Sequence, residues 1–149
     1  MALDDTDVKI LNMLIENGRV SYTDIAKEVG MKPPSVIDRI KKMESDGIIH
    51  DYCARVNYKK LGYDVVAFIG VTIDNPLHID DFESEIKNVD DDIVECCHVT
   101  GDFTLLIKAI TKNTNTLANI IKKLRNFNGV VNTNTILVFS TMLNNVHRV

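Results

Sequence analysis

Between residues 32 and 60, seven cations (Lys32, Arg39, Lys41, Lys42, Arg55, Lys59 and Lys60) stand against four acids (Asp38, Glu44, Asp46 and Asp51). A guanidinium can grip a guanine edge or a phosphate through two parallel hydrogen bonds, while lysines act on phosphate as point charges. The net charge of −4 hides this local excess. Residues 1–60 hold ten Lys/Arg and ten Asp/Glu, whereas residues 61–149 hold seven and eleven, so the whole deficit lies in the later part. For phosphate contact the local balance decides.

Other side-chain chemistry is sparse. Cys53, Cys96 and Cys97 form no CxxC and no Cys/His spacing suited to zinc, and three cysteines make no secreted disulfide framework. Cys96 and Cys97 are adjacent, so on a strand they point to opposite faces; with Cys53 they are the candidates for redox control through a bridge between chains. His50, His78, His98 and His147 show no HExxH or paired ligand spacing, no serine or cysteine sits in a nucleophile motif, and no glycine-rich loop fits a phosphate. His98 is the one histidine whose place, beside a turn, merits a test. No cofactor and no metal site is expected.

The elements that must hold the basic residues read as three helices. Val8, Leu11, Leu14 and Ile15 recur at helical spacing over residues 5–17, opening at Asp4 or Asp5 and stopping at Gly18. Ser21 is a good N-cap for a two-turn helix with Ile25, Ala26 and Val29 inward and Gly30 as its left-handed stop. Pro33 and Pro34 restart a helix, with Val36, Ile40 and Met43 inward and Gly47 closing it. Rotating off that stripe puts Ser35, Asp38, Arg39 and Lys42 outward, with Lys32 at the start. Three helices with a tight second turn are the helix-turn-helix arrangement, whose last helix enters the DNA major groove. Arg39 is the expected base-edge or nearby phosphate contact, Ser35 and Asp38 the polar readers, and Lys32, Lys41 and Lys42 the phosphate contacts. IIHDYCARVNY then reads as extended chain, a linker over about residues 48–63.

From residue 64 the pattern changes. VVAFIGVTI (65–73) is an apolar strand, HIDDFESEIKNV (78–89) a helix with Ile79, Phe82 and Ile86 inward, and DIVECCHVT and DFTLLIKAI a hairpin turning tightly at Gly101–Asp102. TLANIIKKLRNF (116–127) is a second helix and VVNTNTILVFSTM the last strand. The order βαββαβ is the ferredoxin-like arrangement, so the expected class is α+β: a helix-turn-helix domain over 1–60 and a ferredoxin-like domain over 64–149. Two helices cover one face of such a sheet. FIGVTI and ILVFSTM are apolar on both faces, which predicts that the second face meets the same face of another copy in a homodimer. A twofold dimer suits two helices reading a palindromic double-stranded site.

Three stretches, DDTDVKILNMLIENGRVSYTDIAKEVGM, PSVIDRIKKMESDGIIHDYCARVNYKKLG and VTGDFTLLIKA with GVVNTNTILV, resemble the Lrp/AsnC family of prokaryotic transcription regulators across essentially the whole chain. The resemblance implies an effector-binding and oligomerisation domain called RAM, dimers that assemble further into octamers, and a small effector, usually an amino acid, bound between dimers near the hairpin turn. Carried onto this sequence, that turn is Gly101, Asp102, Phe103 and Thr104. Thr104 stands where the family commonly has aspartate, so a ligand amine loses an ion-pair partner there. Thr133 and Thr135 on the last strand are further candidates to line the site. Lys32 stands where the family often has a capping residue, which gives up about 1 kcal/mol of helix capping and adds a phosphate contact.

An ordinary content of 45% hydrophobic and 26% charged residues fits a globular protein, and no apolar run approaches the ~20 residues of a membrane span. The acidic start MALDDTD is unlike a signal or transit peptide, so a cytoplasmic location is expected. The reading is a DNA-binding regulator, not an enzyme, whose DNA affinity or assembly responds to an effector. Alternatives are redox control through the cysteines, an architectural protein that coats DNA, and, more remotely, a sirohaem decarboxylase built on the same frame.

Overall fold

The computed structural model describes residues 2–149, and the chain divides into two compact units: Met1–Val56 together with Leu143–Val149, and Asn57–Met142. The first unit holds α1 (Asp5–Glu16), α2 (Tyr22–Val29) and α3 (Pro33–Ser45). Asp4 caps α1 by accepting from the Asp7 amide at 2.8 Å, and the Asp7 carboxylate accepts from the Asp4 amide at 3.1 Å, so two amides left over at the helix start are satisfied reciprocally. Ser21 caps α2 through the Asp24 amide at 3.0 Å, and Gly30 ends it at φ +67°. Lys32 makes no side-chain cap to α3, whose first two positions are the prolines. Gly47, at φ +70°, turns the chain so that Ile48 and Ile49 donate to the Met43 carbonyl.

Ile10, Leu11, Ile25, Ala26, Val36, Ile40 and Met43 form the core of this unit. The inward stripe of α1 differs from the sequence reading. Its buried residues are Asp7, Ile10 and Leu11, with Val8 and Ile15 only half-buried. The helix is rotated so that a carboxylate, Asp7, shares the inward face. The extended residues after Ile49 join no sheet; Tyr52 instead donates to Glu44 of α3 at 2.8 Å, and burial, ahead of that carboxylate, pushes its phenol up to about 12. Residues 143–149, expected in the second domain, belong to the first unit. There the Asn12 amide pairs both ways with the Val149 backbone (2.8 and 3.2 Å), and Arg148 pairs with Glu16.

The second unit opens with a short 3-10 turn (Tyr58–Leu61) and continues as β1 (Val65–Ile73), α4 (Leu77–Ile86), β2 (Ile93–His98), β3 (Leu105–Thr111), α5 (Thr114–Arg125) and β4 (Val130–Leu137). The strands make one antiparallel sheet in the order β2-β3-β1-β4, the ferredoxin-like topology. Alternate residues Ala67, Ile69, Val71, Leu105, Ile107 and Ala109 point to the side covered by α4 and α5, where Phe82, Ile86, Leu117, Ile120 and Leu124 complete the core. Against the apolar spacing, α4 starts one residue earlier and stops three earlier, and α5 starts and stops two earlier. The α5 start is set by Asn113, which accepts from the Asn115 and Thr116 amides.

Two expectations for this unit need correction. The hairpin does not turn on two residues: β2 and β3 are joined by six, 99–104. The last strand ends at Leu137, and on the open face it presents Asn132, Asn134 and Ile136 rather than an apolar run. The open face is therefore mixed, with Val66, Phe68, Leu106, Ile110 and Ile136 apolar and Thr72, Lys108 and the two asparagines polar. Phe139 and Met142, read as strand, lie beyond it and are almost fully exposed.

Candidate functional site

On α3, Ser35, Asp38 and Lys42 share one exposed stripe, and Lys32 and Lys41 are exposed beside it. The spacing puts them opposite Val36, Ile40 and Met43, which anchor the helix in the core. Such a helix can offer hydroxyl, carboxylate and ammonium groups to a duplex at no cost in lost protein contacts.

Arg39 is different, and the expectation that it points outward needs correction. It is half-buried, and its Nη1 donates to Asp7 at 2.7 Å and to Asp4 at 2.8 Å. The bond to Asp7, ahead of that to Asp4, raises the guanidinium pKa further, while the Asp7 amide and then Arg39 hold the Asp4 carboxyl below its usual range. The acids were legible only in part. Asp7 stands three and four residues before Ile10 and Leu11, so it must face inward, and an inward carboxylate demands a cation.

At the other candidate site, the loop 99–104 closes where the Val99 amide donates to the Thr104 carbonyl at 3.0 Å, and Gly101 takes φ +107°. Thr104 is bound to β1 twice: its amide donates to the Val71 carbonyl at 2.9 Å, and its hydroxyl oxygen accepts from the Ile73 amide at 3.0 Å. The pairing of β1 with β3 ends at Val71 and Leu105, so the hydroxyl supplies the acceptor that a longer β3 would have given Ile73. Phe103 lies over Gly70 so closely that a Cβ there would come within 2.6 Å of the ring. Asp102 is exposed and Gly101 with it. Thr133 and Thr135 pair with Val71 and Ile69, which puts their side chains on the helix-covered side, and Thr133 accepts from Arg125 Nε at 2.8 Å. The fold thus brings Gly101, Asp102, Phe103 and Thr104 together but points the two strand threonines the other way from the open face.

All three cysteines are free. Cys96 pairs with Ile107 on the helix side and borders a groove between α4 and β2 with Phe82, Ile86 and His98, while Cys97 pairs with Leu106 on the open face. Burial, then the neighbouring Cys97 and Glu83, pushes the Cys96 thiol up to about 11; carboxylates beside Cys53 (Asp51) and Cys97 (Glu95) raise theirs. A reactive cysteine needs the opposite setting, a nearby cation that favours thiolate. His98 is exposed at the strand end. Among the described residues no three His, Cys, Asp or Glu side chains converge as a metal site, and no helix is long and apolar enough to cross a membrane.

A three-helix unit with an exposed polar stripe on its third helix, joined to a four-stranded ferredoxin-like unit, defines a DNA-binding transcription regulator with a ligand-binding domain. Residues 3–50 match the family model for winged helix-turn-helix DNA-binding, and residues 66–146 match that for the Lrp/AsnC ligand binding domain. The chain belongs to the Lrp/AsnC family. It is 35% identical to an HTH-type transcriptional regulator of Pyrococcus furiosus, over 91% of this chain and 90% of that one. It is 30% identical to the regulatory protein AsnC of Escherichia coli, over 91% and 90%. The structure of E. coli AsnC superposes with a TM-score of 0.90 at 27% identity, covering 99% of both chains. A transcriptional regulator from Neisseria meningitidis in complex with L-Met superposes with 0.89 at 26% identity, covering 97% of this chain and 94% of the other. These relatives are regulators, not enzymes, and the chain is one too.

Proposed function

We propose that this regulator reads a palindromic DNA site as a homodimer and that an amino acid bound at the 99–104 loop biases its assembly. The observation that carries the first part is the exposed stripe of Ser35, Asp38 and Lys42 on a helix otherwise locked into its core. Lys32 and Lys41 beside it take phosphate, and these contacts anchor the register while the stripe meets base edges. A twofold pairing through the open sheet face is supported by Val66, Phe68, Leu106, Ile110 and Ile136, which form an apolar patch no helix covers. Larger rings of dimers, up to an octamer, would place further reading helices on one duplex.

The effector part is supported by the loop and by the L-Met complex of the Neisseria relative. Asp102 is the carboxylate free to meet a ligand amine, and the backbone around Gly101, where a side chain would crowd nothing, is open to a ligand carboxylate. Thr104 accepts from the Ile73 amide through one lone pair, which holds the hydroxyl in place and leaves its O–H to donate to a ligand carboxylate. The effector then acts by linkage: it favours whichever assembly binds it more tightly, and so one spacing of reading helices.

Selection of bound duplexes from the protein's own genome tests this reading. A palindromic motif with half-sites roughly one helical turn apart is the expected result. Bound fragments with no shared motif would replace it with an architectural, DNA-coating role. Sizing of the protein with and without a panel of amino acids tests the effector, and a panel that shifts neither assembly nor affinity would remove it.

A further inference from the structure

Asp7 sits on the inward face of α1 with a side chain only 4% exposed. A carboxylate so placed needs a cation and filled lone pairs, because burial strips it of water. Both of its oxygens are engaged: Oδ2 accepts from the Asp4 amide at 3.1 Å and Oδ1 from Arg39 Nη1 at 2.7 Å. The same Nη1 also reaches Asp4 Oδ2 at 2.8 Å, so the N-cap of α1 and an acid of its first turn grip one nitrogen from the middle of α3. Arg39 lies one helical turn from Ser35 and one residue from Asp38, at the border between the exposed stripe and the buried one.

We infer that Arg39 is a positioning residue, which fixes the rotation and tilt of α3 through Asp4 and Asp7 and does not itself read a base. The inference rests on α3 being the DNA-reading helix. A reading helix must hold its side chains to within about 0.5 Å of the productive geometry. Apolar contacts at Val36, Ile40 and Met43 seat α3, but they are non-directional and set its rotation less sharply than a directional bond does. A charged hydrogen bond to a buried acceptor is directional and stops that roll. Were Arg39 to swing out to DNA, it would leave the Asp7 carboxylate buried without its cation.

The two roles for Arg39 predict opposite signs for one substitution. Asp7→Asn keeps an oxygen for the Asp4 amide but removes a negative charge and releases the guanidinium from its buried partner, leaving it only the more exposed Asp4 carboxylate. If Arg39 contacts DNA, the variant binds DNA more tightly; if Arg39 positions α3, it binds its site more weakly despite the more favourable charge. The experiment uses the full chain, a duplex selected by the wild type from random sequence, and a scrambled duplex of equal length at fixed salt. Melting curves confirm that each variant is folded at the assay temperature. For Asp7→Asn the expected result is a roughly tenfold loss on the selected duplex, the size of one good base contact, with scrambled binding undiminished and the preferred motif unaltered.

Asp4→Asn serves as the second variant, since asparagine still caps a helix and only the ion pair is lost. There the loss is about threefold, as befits a partly exposed pair, and this variant decides the matter if Asp7→Asn fails to fold. Unchanged or tighter binding to the selected duplex overturns the inference. A wild type that does not distinguish the two duplexes overturns the DNA-reading function and the inference together, whereas one that distinguishes them while neither variant loses affinity overturns the inference alone.

Discussion

The two units hold their candidate sites in opposite ways. On α3 the exposed stripe of Ser35, Asp38 and Lys42 is separate from the residues that seat the helix, so recognition and folding are assigned to different side chains. In the 99–104 loop they coincide: Thr104 and Phe103 are at once candidate site residues and the fastenings that bind the loop to β1. A surface stripe can therefore change its specificity without loss of fold. A loop fastened by its own site residues cannot, but for the same reason anything bound there is mechanically coupled to the sheet.

Substitutions should separate these two arrangements. The largest effect is expected at Gly70→Ala, where the new methyl meets the Phe103 ring within 2.6 Å and the ring must leave its seat. A loss at the upper end of ~1–3 kcal/mol follows from overpacking, read as a lower denaturant midpoint, together with an altered effector response. An unchanged midpoint would mean that the loop is not fastened through Phe103. Thr104→Val removes the acceptor for the Ile73 amide while keeping the shape, and should cost about 1–2 kcal/mol in the same unfolding measurement.

Lys42→Ala should do the reverse. Stability stays within ~0.5 kcal/mol, while DNA affinity falls and the slope of log affinity against log salt shrinks by about 0.9, as for one lost phosphate contact. A lysine whose removal leaves the slope intact does not touch phosphate. Asp102→Asn should leave unfolding and DNA binding in the absence of effector unchanged and weaken the amino-acid response alone, checked by calorimetry with L-Met as the probe.

The smallest effect is with pH. The Asp4 carboxyl is lowered from 3.8 in the folded chain by the Asp7 amide and then by Arg39. A depressed carboxyl pKa contributes stability that is present above the unfolded value and lost as pH falls through the folded one. Acid titration of unfolding should show this loss below pH 3.8, and Asp4→Asn should abolish that part of the profile. A wild-type profile matched by the variant would show that the Asp4 pair adds nothing to stability.

Much of this was legible in the residues. The opening of α1 at Asp4 or Asp5, the caps at Ser21 and Gly30, the prolines opening α3 and the stripe of Val36, Ile40 and Met43 are local, because capping and amphipathic periodicity act over a few residues. The βαββαβ order followed from the change in period after residue 64. The boundaries of α4 and α5 and the end of β4 were less legible, since an apolar residue near an element end fits both helix or strand and the chain beyond it.

Local spacing was enough to settle the main helices and strands, their order, and the outward places of Ser35, Asp38 and Lys42 on α3, since these depend on neighbours within a turn or two. Long-range packing alone fixed that Arg39 faces two acids more than thirty residues away, that Thr104 completes the hydrogen bonding of β1, that Thr133 turns to Arg125, and that residues 143–149 join the first unit. Each of these is a polar group choosing among distant partners. Periodicity carries no information about that choice, which is made when burial removes water and each donor and acceptor must be matched within the fold.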